Sequence, residues 1–278
     1  MRVTFHGVRG STPCQSDDIQ RYGGNTSCVS IDAPDQQPLL FDMGTGLRYF
    51  GKKVPADELF RGSCLLSHLH WDHVQGLPFF TPLLREGSSL DVYGPAQADG
   101  RSLDEVVSFT IRPPLFPVSV DELPGEVRFH DTADCDFTIG AFNVMARLIP
   151  HLGPTLGFRV EFNGHSVAYL SDHQQPFDGS LSAAPGALEL VDGVDLLIHD
   201  SQYTQPEFAA KSTWGHCTID YAVWLAGQGG VKKLALFHHD PSRRDDDLDG
   251  LWRCAAQMGE AQGVEVIAAS EGLAVDIG

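Results

Sequence analysis

The chain has 278 residues, enough for one large α/β domain or two small ones with a substantial buried core. Its 42% hydrophobic and 20% charged residues are ordinary globular values, with no low-complexity tract and no run of about 18 apolar residues to span a membrane. Against 19 basic residues stand 37 acidic ones, a formal net charge of -18, which repels a phosphate backbone at long range and argues against a long nucleic acid as partner.

The N-terminus MRVTFHGVRGSTPC lacks a long apolar segment ending in a small-residue cleavage site, so no secretory signal is read and a cytoplasmic location is expected. Arg2 to Val8 alternates as a first strand, and Gly10 to Pro13 form a turn. Tyr22 to Asp32 is a glycine turn feeding a second strand. Leu39 to Phe41 is a buried third strand ending at Asp42, whose carboxylate could cap the segment Leu47 to Phe50. The apolar run Cys64 to Leu66 ends a further strand and leads into SHLHWDHVQG, Ser67 to Gly76.

That stretch places His68, His70, Asp72 and His73 within six consecutive positions. Imidazole and carboxylate are the ligands of zinc and of other divalent transition ions. In an extended or tightly turning backbone His68 and His70 share one side while Leu69 packs the other way. Asp72 and His73 come where the chain must turn, and would face a second ion about 3.5 to 4 Å from the first.

Beyond it, Val74 to Leu84 predicts a helix broken by Pro78 and Pro82, and Leu90 to Tyr93 a strand ending at the turn Gly94, Pro95. Arg101 to Val120 holds IRPPLFPV (111–118), weak as helix or strand. It is expected to cover a core edge, line a pocket or meet a second subunit. Short strands follow at Val127 to His130, Phe137 to Ile139, Phe142 to Leu148, Thr155 to Phe162 and Ser166 to Leu170, with Asn163 and Gly164 as a hairpin turn. Val194 to His199, Lys233 to Phe237 and Val264 to Ala268 are strands; Tyr221 to Ala226 and Leu248 to Gln257 are helical. No βαβ rhythm of the doubly wound kind is read, which predicts one domain of two packed sheets with helices outside. Cys14, Cys28, Cys64, Cys135, Cys217 and Cys254 form no CxxC pair and are expected to be reduced thiols.

Three more donors leave apolar strands: His151 after Ile149 and Pro150, Asp172 after Val167 to Ser171, and His238 after Leu234 to Phe237, with His239 as the competing choice. Asp200 follows another buried strand, and His216 precedes a helix. An aspartate and histidine pair suits general acid chemistry near neutral pH, while the plain alternative has His216 capping the helix near Thr218. Arg243 and Arg244 could contact phosphate, or RRDDD could simply start a helix with Asp245 as its cap.

The pattern HLHWDH resembles the HxHxDH signature of the metallo-β-lactamase superfamily, and GPTLGF, AYLSD, LFHHD and GHCT are similar to motifs of its ribonuclease Z branch. The resemblance implies an α/β (α+β) protein, a single four-layer αββα sandwich over 1–278, with two mixed sheets and outer helices. It implies two divalent ions, zinc first, with manganese or iron as alternatives. His68, His70 and His151 would hold one, Asp72, His73 and His238 the other, and Asp172 would bridge. Asp42 would orient one of the histidines from behind. Asp200, where that branch more often has glutamate, would pair with His216 as proton donor.

No basic, Gly and Pro rich arm of the ribonuclease Z kind is read here, and the chain looks more like small cyclic nucleotide and phosphonate-pathway phosphodiesterases. The expected function is metal-dependent hydrolysis of a small anionic phosphodiester, cyclic or not, by a hydroxide held between the ions, with Asp72, Asp200 and His216 as catalytic side chains. The alternatives are an acyl hydrolase of lactonase, thioesterase or β-lactamase type on the same metals, and a non-catalytic metal or nucleotide sensor. Relatives are often homodimers, which makes that a further expectation.

Overall fold

A computed structural model describes residues 1–278. The first half of the chain forms strands β1 (Arg2–Gly7), β2 (Cys28–Asp32), β3 (Leu39–Phe41), β4 (Arg61–Leu65), β5 (Ser89–Pro95) and β6 (Glu126–Thr132), with helices α1 (Leu47–Gly51), α2 (Trp71–Val74) and α3 (Leu103–Thr110). The second half forms β7 (Cys135–Ile139), β8 (Phe142–Leu148), β9 (Leu156–Phe162), β10 (His165–Leu170), β11 (Leu196–Asp200), β12 (Lys233–Phe237) and β13 (Glu265–Ala268). Helices α4 (Pro185–Val191), α5 (Gln205–Lys211), α6 (Ile219–Gln228) and α7 (Asp245–Glu260) accompany them, and β14 (Ala274–Asp276) returns to pair with β1.

Two seven-stranded mixed sheets result, ordered β14-β1-β2-β3-β4-β5-β6 and β13-β12-β11-β10-β9-β8-β7. Each is antiparallel at one end and parallel at the other: β3 to β6 run parallel in the first, β10 to β13 in the second. Between the sheets lies a core of alternate strand residues, among them Phe5, Phe41, Phe158, Tyr169 and Phe237, with Phe41 stacked on Tyr169 at 4.6 Å. The outer faces pack helices: Leu47, Leu103 and Val107 against the first sheet, Leu190, Tyr221, Leu225 and Ala255 against the second. Each such fully buried large apolar side chain contributes about 1.5 to 3 kcal/mol of transfer free energy. The expected four layers are therefore present.

Several elements differ from expectation. The parallel pairs β10 with β11 and β11 with β12 are joined through helices, so βαβ units exist in a chain whose sequence gave no such rhythm. Helix α2 begins at Trp71 and ends at Val74, followed by two 3-10 turns, because Pro78 and Pro82 cannot continue an α-helix. Strand β5 runs on through Gly94 and Pro95, whose partners are Asp131 and Thr132 on β6. The stretch Arg101 to Val120 hides α3, started by a capping box in which Ser102 Oγ accepts from the Glu105 N–H and Glu105 returns a bond to the Ser102 N–H. The segment 111–118 itself is irregular; Ile111 and Phe116 close the edge of the outer core, as the plainest of the three expectations had it. No helix is long and apolar enough to cross a membrane.

Candidate metal centre

The parallel strands end where the site is built, at the carboxyl edge at which open α/β sheets gather ligands. From β4 the chain runs extended through Ser67 to His70 and then turns into α2, so Asp72 and His73 sit on a single helical turn rather than in a loop. Gly76 closes the segment at a place where a Cβ would lie 2.0 Å from the Gly44 carbonyl oxygen. His151 follows β8, Asp172 follows β10, Asp200 ends β11 and His238 follows β12.

The donors converge in two groups. His70 Nδ1 lies 2.9 Å from His68 Nε2 and 3.2 Å from His151 Nε2. Asp72 Oδ2 lies 3.2 Å from His73 Nε2 and 3.1 Å from His238 Nε2. Asp172 stands between them: its Oδ1 is 3.8 and 3.7 Å from the Nε2 atoms of His68 and His151, its Oδ2 3.2 and 3.3 Å from those of His73 and His238.

Behind the rings, acceptors fix the tautomers. The Nδ1–H of His73 donates to Asp42 Oδ2 at 2.6 Å, that of His151 to the Gly215 carbonyl at 2.7 Å, and that of His238 to Gln202 Oε1 at 3.1 Å. Because carboxylate and carbonyl oxygens only accept, each of these rings carries a proton on Nδ1 and turns its Nε2 into the pocket. Asp42 also receives the Ser67 N–H and the hydroxyls of Ser67 and Tyr169. It does not cap α1, whose N-cap is Gly46. Both Asp42 and His238 have φ of 56°, a left-handed conformation that re-aims a side chain at a strand end.

Electrostatics separate the two groups. Burial drives the imidazoles of His68 and His70 below their usual range and that of His151 to about 4, which keeps them neutral and able to ligate. Burial also opposes a charge on His73, yet Asp72, Asp172 and Asp42 around it win and draw a proton strongly onto the ring. Asp72 and Asp172 stay ionised, since the neighbouring histidines outweigh the burial that would raise them. His73 Nε2 and Asp172 Oδ2 are buried and have no hydrogen-bond partner. Orphaned buried donors and acceptors are rare and costly. Oxygen and nitrogen donors within 4.8 Å of one another, with excess negative charge at the centre, fit a divalent cation.

Asp200 and His216 meet as well: the His216 Nδ1–H donates to Asp200 Oδ2 at 2.8 Å, and the ring stacks on His238 at 5.1 Å. Burial lowers the His216 imidazole, but Asp200 together with Asp172 and Asp72 outweighs it, and the ring ends above its ordinary range. The helix is capped by Thr218, whose Oγ1 accepts from the Tyr221 N–H, so capping does not explain His216. His239 faces away and binds the Ala269 carbonyl at 2.9 Å. Arg243 pairs with Glu207, and Arg244 with Asp247 at the start of α7. Asp245 is no cap: it is buried and accepts the N–H groups of Arg21 and Tyr22.

Four participants escaped the sequence. The Ser11 N–H, in a left-handed residue, donates to Asp72 Oδ2 at 2.7 Å, and Gly10 lies so close that a Cβ would meet the His238 ring at 2.4 Å. Gln202 donates its backbone N–H to Asp200 Oδ1 and its Nε2–H to Ser11 Oγ, and its Oε1 accepts the His238 Nδ1–H. Gly215 supplies the carbonyl for His151. The one signal available was position: GVRGS follows β1 directly, and Gln202 lies two residues after Asp200.

The model of the beta-lactamase superfamily domain matches residues 40–239. A ribonuclease Z of Synechococcus sp. (strain CC9311) is 27% identical over 285 residues, covering 87% of this chain and 88% of its own. Among solved structures, the metallo-beta-lactamase fold protein YhfI of Bacillus subtilis superposes with a TM-score of 0.74 at 21% identity, over 100% of this chain and 98% of its own. The short form of human tRNase Z superposes at 0.71 with 22% identity, over the whole of both chains.

Proposed function

Because the chain belongs to the beta-lactamase superfamily, we propose that it is a metal-dependent phosphodiesterase acting on a small anionic diester. His68, His70 and His151 would hold one divalent cation, Asp72, His73 and His238 a second, and Asp172 would reach both. Bound there, the cations, zinc first, would supply Lewis-acid activation of water and neutralise charge on phosphate oxygens. Asp72 is fixed by the Ser11 N–H and orients the attacking water. His216 gives a proton from Nε2 to the departing oxygen, while Asp200 holds its Nδ1–H and steadies the charged ring.

The observation that carries this reading is the buried Asp200 and His216 dyad stacked against His238. An alkoxide leaving phosphorus is strongly basic, and a proton donor held beside the cluster assists its departure. The net charge of -18 favours a compact substrate over a long nucleic acid. The zinc-loaded protein is to be assayed with bis(p-nitrophenyl) phosphate, a lactone, nitrocefin and a precursor transfer RNA. Turnover of the diester well above the rest is expected. Faster hydrolysis of the lactone or nitrocefin would replace phosphorus with an acyl carbon, and preference for the RNA would refute the small-substrate assignment.

A further inference from the structure

Beside the dyad stands a group of side chains that the proposed chemistry does not use. Tyr203 is buried and meets the His216 ring edge-on at 5.6 Å. Over the Tyr203 ring, at 4.9 Å, lies Lys211 Nζ, the last residue of α5, which is also 5.5 Å from the ring of Trp214 and 3.7 Å from Asp240. Trp214 is 59% exposed, so this end of the group opens to solvent.

The loop that carries Trp214 is pinned. Gln174 donates from Nε2 to the Ser212 carbonyl at 2.9 Å and accepts the Gly215 N–H on Oε1 at 2.7 Å, so the backbone on either side of the tryptophan is anchored to one buried amide. Gly215 in turn holds His151. A continuous path of ring contacts thus runs from the proton donor outward: His216, Tyr203, Lys211, Trp214.

We propose that Trp214, with Lys211 and Tyr203 behind it, is a stacking subsite for a flat aromatic ring, a nucleobase, on the departing side of the substrate. This rests on the phosphodiesterase reading, since the side is defined by His216. An aromatic face fixed in place accepts any base without hydrogen-bond readout, and the ammonium of Lys211 adds attraction for both the ring and the nearby phosphate. The occupant is a base rather than a protein because the cluster adjoins the reacting centre and is one ring wide.

The test compares a dinucleoside monophosphate with its analogue lacking the base on the departing side. In Trp214→Ala the ratio of kcat/KM for the two falls about tenfold, the usual worth of one stacked base, and Trp214→Phe restores most of it. Equal losses on both substrates, or none, overturn the subsite. Should the wild-type protein hydrolyse no diester, the phosphodiesterase reading fails separately, and fluorescence still decides this one. The emission difference between wild type and Trp214→Phe must be quenched by a nucleoside 5′-monophosphate and not by ribose 5-phosphate; quenching by both or by neither counts against stacking.

Discussion

A neutral imidazole can point a lone pair in only one direction at a time, and at this site the direction is set from behind. Asp42, Gln202 and the Gly215 carbonyl each take an Nδ1–H, leaving Nε2 free to face the pocket. Asp42→Asn removes the charge that His73 leans on, and zinc affinity is expected to fall about 10- to 100-fold, read by competition with a chelating dye. An unchanged affinity would show that Asp42 serves the fold alone. His216→Ala tests the proton donor differently. On a diester with an alkyl leaving group kcat should drop by roughly 10²- to 10⁴-fold, whereas a p-nitrophenyl leaving group, which departs unaided, should lose far less. Equal losses on both would remove His216 from that role.

At the scale of elements, the site depends on how strands stop. β3 and β12 lie in different sheets, yet each is followed by a left-handed residue, Asp42 and His238, that turns its side chain out of the sheet toward the shared edge. The loop after β1 then closes over His238 through Gly10. Gly10→Ala forces a methyl group into the imidazole ring, and a shift of even about 1 Å at such a place can cost about 100-fold in rate. A loss of at least tenfold in kcat is expected, with a melting temperature close to wild type; full activity would mean the ring yields without penalty. These strands were legible because short apolar runs bounded by Gly, Asp and Pro read as buried strands whatever their partners. The helices were less so. α3, α4 and α5 have 8, 7 and 7 residues, too few for a helical period to stand out, and only capping pairs, Ser102 with Glu105 and Thr204 with Glu207, marked two of them. Ser102→Ala should lower stability by about 0.5 to 2 kcal/mol in urea unfolding and leave activity untouched.

Over the whole molecule, the sandwich buries several titratable groups that it does not use chemically. His6 lies on β1 with Nε2 2.9 Å from Ser30 Oγ and its ring against Phe50, and burial, helped by Lys53, lowers its imidazole from 6.5 to about 3. The folded protein therefore keeps His6 neutral where the unfolded chain protonates it. Stability from this group is complete above pH 6.5 and is lost as pH falls toward 3, by an amount on the order of a few kcal/mol. In His6→Asn the urea midpoint should change less between pH 7 and pH 4 than in the wild type; identical slopes would show that other groups govern acid unfolding.

The amino-acid sequence by itself determined the chemistry of the donors and the strand ends that carry them, since residue type and local apolar pattern are properties of short stretches. It could not decide that Asp172 faces both groups, that His238 rather than His239 turns inward, or that Gly10, Ser11 and Gln202 complete the pocket. Those outcomes depend on contacts such as Ser11 with Gln202, which are 191 residues apart. Only the packing of one sheet on the other, driven by the core between them, brings such residues within hydrogen-bond reach.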